Sequence, residues 1–271
     1  MGNTENERWT RKYLEFDRFA LSYVEGGKIN RPSILFLHGW SISTEPYQDC
    51  LDSLAENYWV IAPDLPGFGR SPYWGTLLSY QTYANCIIML LKKLQLDRFG
   101  LIGHSFGGGI ALALAAAIPL QIDSLIVIDS TGIPLSQAVV IQGRFAELPQ
   151  QIAQWQLIPS LKFLGAALYN LISQPSHLIE GAKIAVNEDL RPWLSELKSP
   201  CLVLWGERDD FIPPASGYEL VEAIPNSRLQ IVPGGYHEWS IMQPEKFAAI
   251  AFDFFAKSDS TLSDRDNEIT G

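Results

Sequence analysis

Phe99-Gly100-Leu101-Ile102-Gly103-His104-Ser105-Phe106-Gly107-Gly108-Gly109-Ile110-Ala111 is the stretch from which the rest of the chain can be read. Phe99 to Ile102 is an apolar run of strand length, Gly103 to Gly107 fits G-x-S-x-G, and the Gly- and Ala-rich residues that follow favour a helix. A serine on a sharp strand-to-helix turn sits in strained backbone geometry, so the positions two before and two after it must be small. Gly103 and Gly107 meet that need, and Gly108, Gly109, Ala111 and Ala113 let the helix lie close to a sheet. Such a helix aims its positive end at Ser105, and the Phe106 N–H is placed to donate to a negative oxygen formed there. Ser105 is the candidate nucleophile.

Outward from this turn, the chain alternates strands and helices. Ser33 to Leu37, Tyr58 to Ala62, Ser124 to Ile128, Cys201 to Trp205 and Arg228 to Val232 are further apolar runs, as expected of strands covered on both faces of a parallel sheet. Between them lie segments of helical length: Tyr80 to Leu94, Phe106 to Ala117, Ala215 to Ala223 and Pro244 to Ala256. The expected class is α/β, with right-handed βαβ units and helices on both faces. A hairpin from Tyr13 to Val24 precedes the alternation, closed by Glu25-Gly26-Gly27-Lys28. Residues 131–199 show no clear strand, five prolines and several apolar clusters, which points to a helical insertion between two successive strands. The expected division is a polar segment at 1–12, a core at 13–130 and 200–257, the insertion at 131–199 and a polar tail at 258–271.

A serine hydroxyl is a weak nucleophile at neutral pH and needs a base, itself oriented by a carboxylate. Four histidines are available. His38 lies in a turn at a strand end, His104 beside the nucleophile and His177 in the insertion. His237, in Gly234-Gly235-Tyr236-His237, follows the last strand on a glycine-rich loop that can return a side chain to the sheet's carboxyl edge, and is the expected base. Asp209, after the strand that ends near Trp205, is the expected acid, with Asp210 and Asp129 as alternatives at the same edge. Trp40, just past Leu37-His38-Gly39, is placed to supply a second backbone N–H for the oxyanion.

The chain has 271 residues, 47% of them hydrophobic, enough for one large domain or two small ones. A net charge of -10, with no basic block, argues against a nucleic-acid partner. Cys50, Cys86 and Cys201 are widely spaced and odd in number, suggesting neither a disulfide framework nor a zinc site, and pointing to a reducing, cytoplasmic setting. The N-terminus lacks the basic start and apolar core of a secretory signal, and the apolar run from Gly107 to Leu120 is shorter than the roughly 20 residues a membrane span requires. A soluble protein with no integral membrane segment is expected, and the chemistry calls for no metal and no other cofactor.

Leu37-His38-Gly39-Trp40, Pro63 to Ser71, Gly103 to Gly108, Gly206-Glu207-Arg208-Asp209 and Gly235-Tyr236-His237 together resemble the successive signature blocks of the α/β-hydrolase superfamily and span most of the chain. The resemblance implies an α/β-hydrolase fold, with a mostly parallel central sheet flanked by helices and a helical cap inserted after the sixth strand. It also implies a triad in the order Ser105, Asp209, His237. Ser105 separates the chain from the haloalkane dehalogenases and epoxide hydrolases of that superfamily, which carry aspartate there. An acyl-enzyme route on small to medium, largely apolar esters is the expected activity. Carbon–carbon bond hydrolases and cofactor-free perhydrolases share the triad, although Ser41 stands where perhydrolases usually have proline. A ligand receptor on a hydrolase scaffold is the rival from another class. In the cap, Phe145, Trp155, Phe163, Tyr169 and Trp193 are candidates for an apolar lid, with His38 as a further candidate pocket residue, although most such aromatics serve only to hold a lid together.

Overall fold

A computed structural model of the protein describes residues 8–77, 79–136, 142 and 157–269. The chain opens with an antiparallel pair, β1 (Trp9–Phe16) and β2 (Phe19–Gly26), in register from Trp9 opposite Gly26 to Phe16 opposite Phe19. β1 thus begins inside the stretch expected to be a polar segment. An edge strand buries only part of its surface, and here Trp9, Arg11, Leu14 and Phe16 are the half-buried positions, with Arg11 reaching the buried carboxylate of Asp64 at 3.2 Å.

Six further strands follow: β3 (Ser33–Leu37), β4 (Trp59–Pro63), β5 (Phe99–His104), β6 (Ile122–Ile128), β7 (Cys201–Gly206) and β8 (Ser227–Val232). The sheet order is β1-β2-β4-β3-β5-β6-β7-β8, parallel from β4 to β8. β5 and β7 are buried at every position, which is why their sequences are apolar without alternation. Helices α1 (Gln48–Leu54), α2 (Tyr80–Leu94) and α3 (Phe106–Ala117) follow β3, β4 and β5. Between β6 and β7 lie α4 (Leu157–Ser173), α5 (Pro175–Asn187) and α6 (Arg191–Leu194), while 131–136, 188–190 and 195–199 are turns and coil. The chain closes with α7 (Pro214–Ala223), α8 (Trp239–Met242) and α9 (Pro244–Ile269). α9 continues through the stretch expected to be a tail, because no glycine or proline between Lys257 and Ile269 stops it. No helix among the described residues is long and apolar enough to cross a membrane.

Two buried apolar clusters sandwich the sheet. Side chains of α2, α3 and α7 meet one face through Leu90, Leu112 and Leu220, and those of α1 and α9 meet the other through Leu51, Phe247 and Phe254. β3 has β4 on one side and β5 on the other, so the loops leaving β3 and β5 diverge and open a crevice at the carboxyl edge.

α3 closes on that crevice at very short range. A Cβ added to Gly107 would stand 2.4 Å from the carbonyl oxygens of both Leu37 and His38, and one added to Gly103 would stand 2.4 Å from the Gly107 carbonyl oxygen. These neighbours are backbone and cannot swing aside. Gly107→Ala is expected to cost about 1–3 kcal/mol in urea unfolding through overpacking against β3. A change below about 0.5 kcal/mol, the usual effect of a harmless surface substitution, would show that the close approach is not enforced.

Candidate active site

Ser105 occupies the turn between β5 and α3 with φ 54° and ψ -118°, a conformation that L-residues adopt only when their surroundings impose it. Its backbone is held on both sides. Its N–H donates to Ile128 O at 2.8 Å, and its carbonyl accepts from Gly108 N at 2.9 Å and Thr131 N at 3.1 Å. The hydroxyl is thereby fixed toward the loop after β8. His237 Nε2 accepts from Ser105 Oγ at 2.9 Å, and His237 Nδ1 donates to Asp209 Oδ2 at 2.8 Å.

The loops after β7 and β8 are sewn together before either side chain acts. Arg208 N–H donates to Gly235 O at 2.8 Å, and a Cβ at Gly206 would lie 2.7 Å from that same oxygen, so the two backbones touch. Asp209 Oδ1 accepts from Ile212 N–H at 2.7 Å, which leaves Oδ2 aimed at the imidazole. Phe211 stands edge-on to the His237 ring, with centroids 4.8 Å apart.

Both alternative acids are placed elsewhere. Asp210 is exposed, and the Asp129 Oδ1 accepts from Gly206 N–H at 2.7 Å. Burial above all, with the neighbouring Asp209 adding to it, pushes the Asp129 carboxyl well above the usual carboxylate range.

The turn after β3 runs directly beside the nucleophile, where a Cβ at Gly39 would lie 3.4 Å from Ser105 Cβ. Among the described residues, the backbone N–H groups of Trp40 and Phe106 have no hydrogen-bond acceptor, so both are free to donate to a bound oxygen. The Trp40 indole donates to Leu178 O of α5 at 2.9 Å.

The remaining sequence candidates separate. His38 was expected to line the pocket, but it is fully buried with both ring nitrogens engaged: Nδ1 donates to Gly39 O and Nε2 accepts from Leu65 N–H, each at 2.8 Å. It shapes the turn instead. Phe163 is buried in the cluster that includes Ile42 and Tyr47 and joins the insertion to the core. Trp193 is 52% exposed and lines a separate 270 Å³ cavity with Leu112, Ala116 and Leu190, about 15 Å along α3 from Ser105. Tyr169 is half-exposed, and Phe145 and Trp155 lie outside the described residues. His177 is buried in α5, against Glu180 and the Tyr73 carbonyl. No group of three or more metal-ligating side chains occurs among the described residues.

One set of contacts has no counterpart in the sequence reading. Gly39 N–H donates to Tyr47 Oη at 3.0 Å, so the Tyr47 O–H donates onward to His104 Nδ1 at 2.6 Å, and His104 Nε2–H donates to the His237 carbonyl at 3.0 Å. This chain ties the turn beside Ser105 to the backbone of the base. Nothing in the spacing of a loop tyrosine marks it for that position.

Comparison with known proteins agrees with this architecture. The family described as alpha/beta hydrolase matches residues 34–250. The 2-hydroxy-6-oxononadienedioate/2-hydroxy-6-oxononatrienedioate hydrolase 1 of Dechloromonas aromatica is 30% identical over 226 residues, covering 74% of this chain and 77% of the relative. The pimeloyl-[acyl-carrier protein] methyl ester esterase of Pectobacterium carotovorum is 28% identical over 256 residues, covering 86% and 98%. Among solved structures, a bromoperoxidase from Bacillus anthracis superimposes with a TM-score of 0.78 at 20% identity, over 92% of this chain and all of that one. With a match spanning most of the sheet and the crevice loops, the chain belongs to the alpha/beta hydrolase family.

Proposed function

We propose that the protein is a serine hydrolase acting through an acyl-enzyme on small to medium, largely apolar carboxylic esters, a carboxylesterase in effect. The observation that carries this reading is the pair of contacts at His237, one to the Ser105 hydroxyl and one to the Asp209 carboxylate. As Ser105 Oγ attacks a carbonyl carbon, His237 Nε2 takes its proton and then returns it to the leaving alkoxide. The Asp209 carboxylate keeps the Nδ1–H tautomer in place and offsets the charge on the imidazolium. The Trp40 and Phe106 N–H groups receive the negative oxygen. A water molecule repeats the sequence to release the acid. In this reading the insertion between β6 and β7 caps the crevice, its described helix α5 reaching Trp40 beside Ser105 through the Leu178 carbonyl, and the largely apolar sequence of the insertion favours an uncharged acyl group.

The Pectobacterium relative, named as a methyl ester esterase, supports ester hydrolysis. The name of the Dechloromonas relative describes a hydrolase of a hydroxy-oxo-dienedioate, which supports a second reading in which the same serine cleaves a carbon–carbon bond beside a carbonyl.

The network at His237 works only with a neutral His104. Burial above all, with the adjacent His237 adding to it, pushes His104 down to about 3 from its ordinary 6.5, and burial lowers His38 in the same direction. In acid, the unfolded chain therefore takes up protons that the folded chain refuses, and stability falls as pH drops from about 6.5 toward 3.

Turnover of p-nitrophenyl esters of increasing acyl length, run beside a vinylogous diketone acid, tests the reaction. Ser105→Ala is expected to lower kcat by roughly 10⁴-fold or more, and Asp209→Asn by about 10⁴-fold. Tight binding of these compounds with negligible wild-type turnover would instead support a receptor. Urea unfolding of His104→Gln at several pH values tests the acid response. The variant is expected to lose stability less steeply than wild type between about pH 6.5 and 3, by up to about 1.4 kcal/mol per pH unit. An unchanged slope would mean that His104 protonates equally in both states.

A further inference from the structure

We infer that Asn170, on the cap helix α4, is a positioning residue for the oxyanion turn and holds the Trp40 N–H in its working direction. This rests on the serine-hydrolase reading above.

α4 is apolar along most of its length, and its inward stripe is Phe163, Ala166 and Asn170. Asn170 is a fully buried amide in that stripe, and every polar atom of its side chain is used. The two hydrogens of Nδ2 are shared among Ser41 O at 3.0 Å, Ile42 O at 3.2 Å and Ala166 O of its own helix at 3.1 Å, while Oδ1 accepts from Gly69 N–H at 2.8 Å. One side chain thus grips two consecutive carbonyls of the turn after β3 and the tight turn at Gly67–Gly69.

Ser41 explains why such a grip is needed. Its φ is 65°, a left-handed conformation that a residue with a side chain leaves unless something opposes the relaxation. Ser41 directly follows Trp40, so relaxation there would rotate the Trp40–Ser41 peptide and shift the backbone of Trp40, whose N–H is the oxyanion donor in this reading. The turn is restrained on each side of the strain. Upstream, Gly39 N–H is bound to Tyr47 Oη, and the Trp40 indole is bound to Leu178 O. Downstream, the amide of Asn170 acts on the carbonyls of Ser41 and Ile42. Two of these three restraints come from the cap, so cap and oxyanion turn are set as one unit.

The test compares kcat and KM of wild type, Asn170→Ser and Asn170→Asp, and of Asn170→Ser combined with Ser41→Gly. It also measures amide hydrogen exchange of residues 39–44 against β5. Asn170→Asp keeps an acceptor for Gly69 N–H but sets a carboxylate oxygen against the Ser41 and Ile42 carbonyls in place of the donor, so read beside Asn170→Ser, which removes both contacts, it reports on the grip on those carbonyls. Both single variants are expected to lower kcat roughly 10- to 100-fold, as a misplaced oxyanion donor does, with KM changed less than about threefold. Exchange at residues 39–44 should accelerate in both while β5 stays protected. Ser41→Gly removes the strain at positive φ, and in the Asn170→Ser background it should recover about fivefold in kcat. Unchanged kcat and exchange in Asn170→Asp, or losses that appear equally in β5, would overturn the assignment. If wild type shows no Ser105-dependent turnover, the hydrolase reading fails separately, and exchange at residues 39–44 alone decides whether Asn170 restrains the turn.

Discussion

The N-terminal end of α3 lies against the backbone of β3 with no room for a side chain between them, and the geometry of the crevice follows from that contact. Because Gly107 abuts the carbonyls of Leu37 and His38, the turn from β5 into α3 has to be made within one residue. That residue, Ser105, takes the left-handed strain. The conformation that relieves the packing also lifts the Ser105 hydroxyl out of the sheet edge, toward the loop after β8. The bond that its N–H donates to Ile128 O, and those that its carbonyl accepts from Gly108 and Thr131 N–H, make the strain persistent.

Electrostatics then assigns different tasks to similar groups. Two buried aspartates lie at the ends of β6 and β7. Asp129, its carboxyl pushed upward by burial, accepts from Gly206 N–H, whereas Asp209, supported by Ile212 N–H, faces the imidazole of His237. Among the histidines, burial keeps His38 and His104 neutral, each with a fixed tautomer serving the backbone. The crevice is therefore built from few charges, each with a partner whose direction is set by backbone, which limits the reorganisation required when charge develops on a substrate.

Much of this was legible in the sequence where a single local rule decides the outcome. The apolar runs at β3, β5, β6 and β7 mark strands covered on both faces, and G-x-S-x-G between a strand and a helix fixes the place of Ser105. His237 and Asp209 were recognisable because they follow strands at the carboxyl edge. Choosing Asp209 over Asp129 and Asp210 depends on the contact between Gly206 and Gly235, which joins residues far apart in sequence. The insertion between β6 and β7 was harder to read for a different reason. α4 carries Leu161, Leu164, Leu168 and Leu171 on its exposed side and Phe163 and Ala166 on its buried side, so hydrophobic periodicity does not show which face turns inward. For the same reason Asn170 gave no signal, since a lone amide in an apolar helix declares its partners only once the helix is docked. His38 looked like a pocket residue because a histidine after a strand can face either solvent or the turn that it closes.

Covalent labelling measures the central claim, that His237 activates Ser105, without any assumption about substrate. The protein is incubated with a fluorophosphonate and digested, and the modified residue is located by mass spectrometry in wild type and in His237→Ala. Modification confined to Ser105, and slowed by orders of magnitude when His237 is removed, is the expected result. Modification of another residue, or labelling of Ser105 at the same rate without His237, would contradict it.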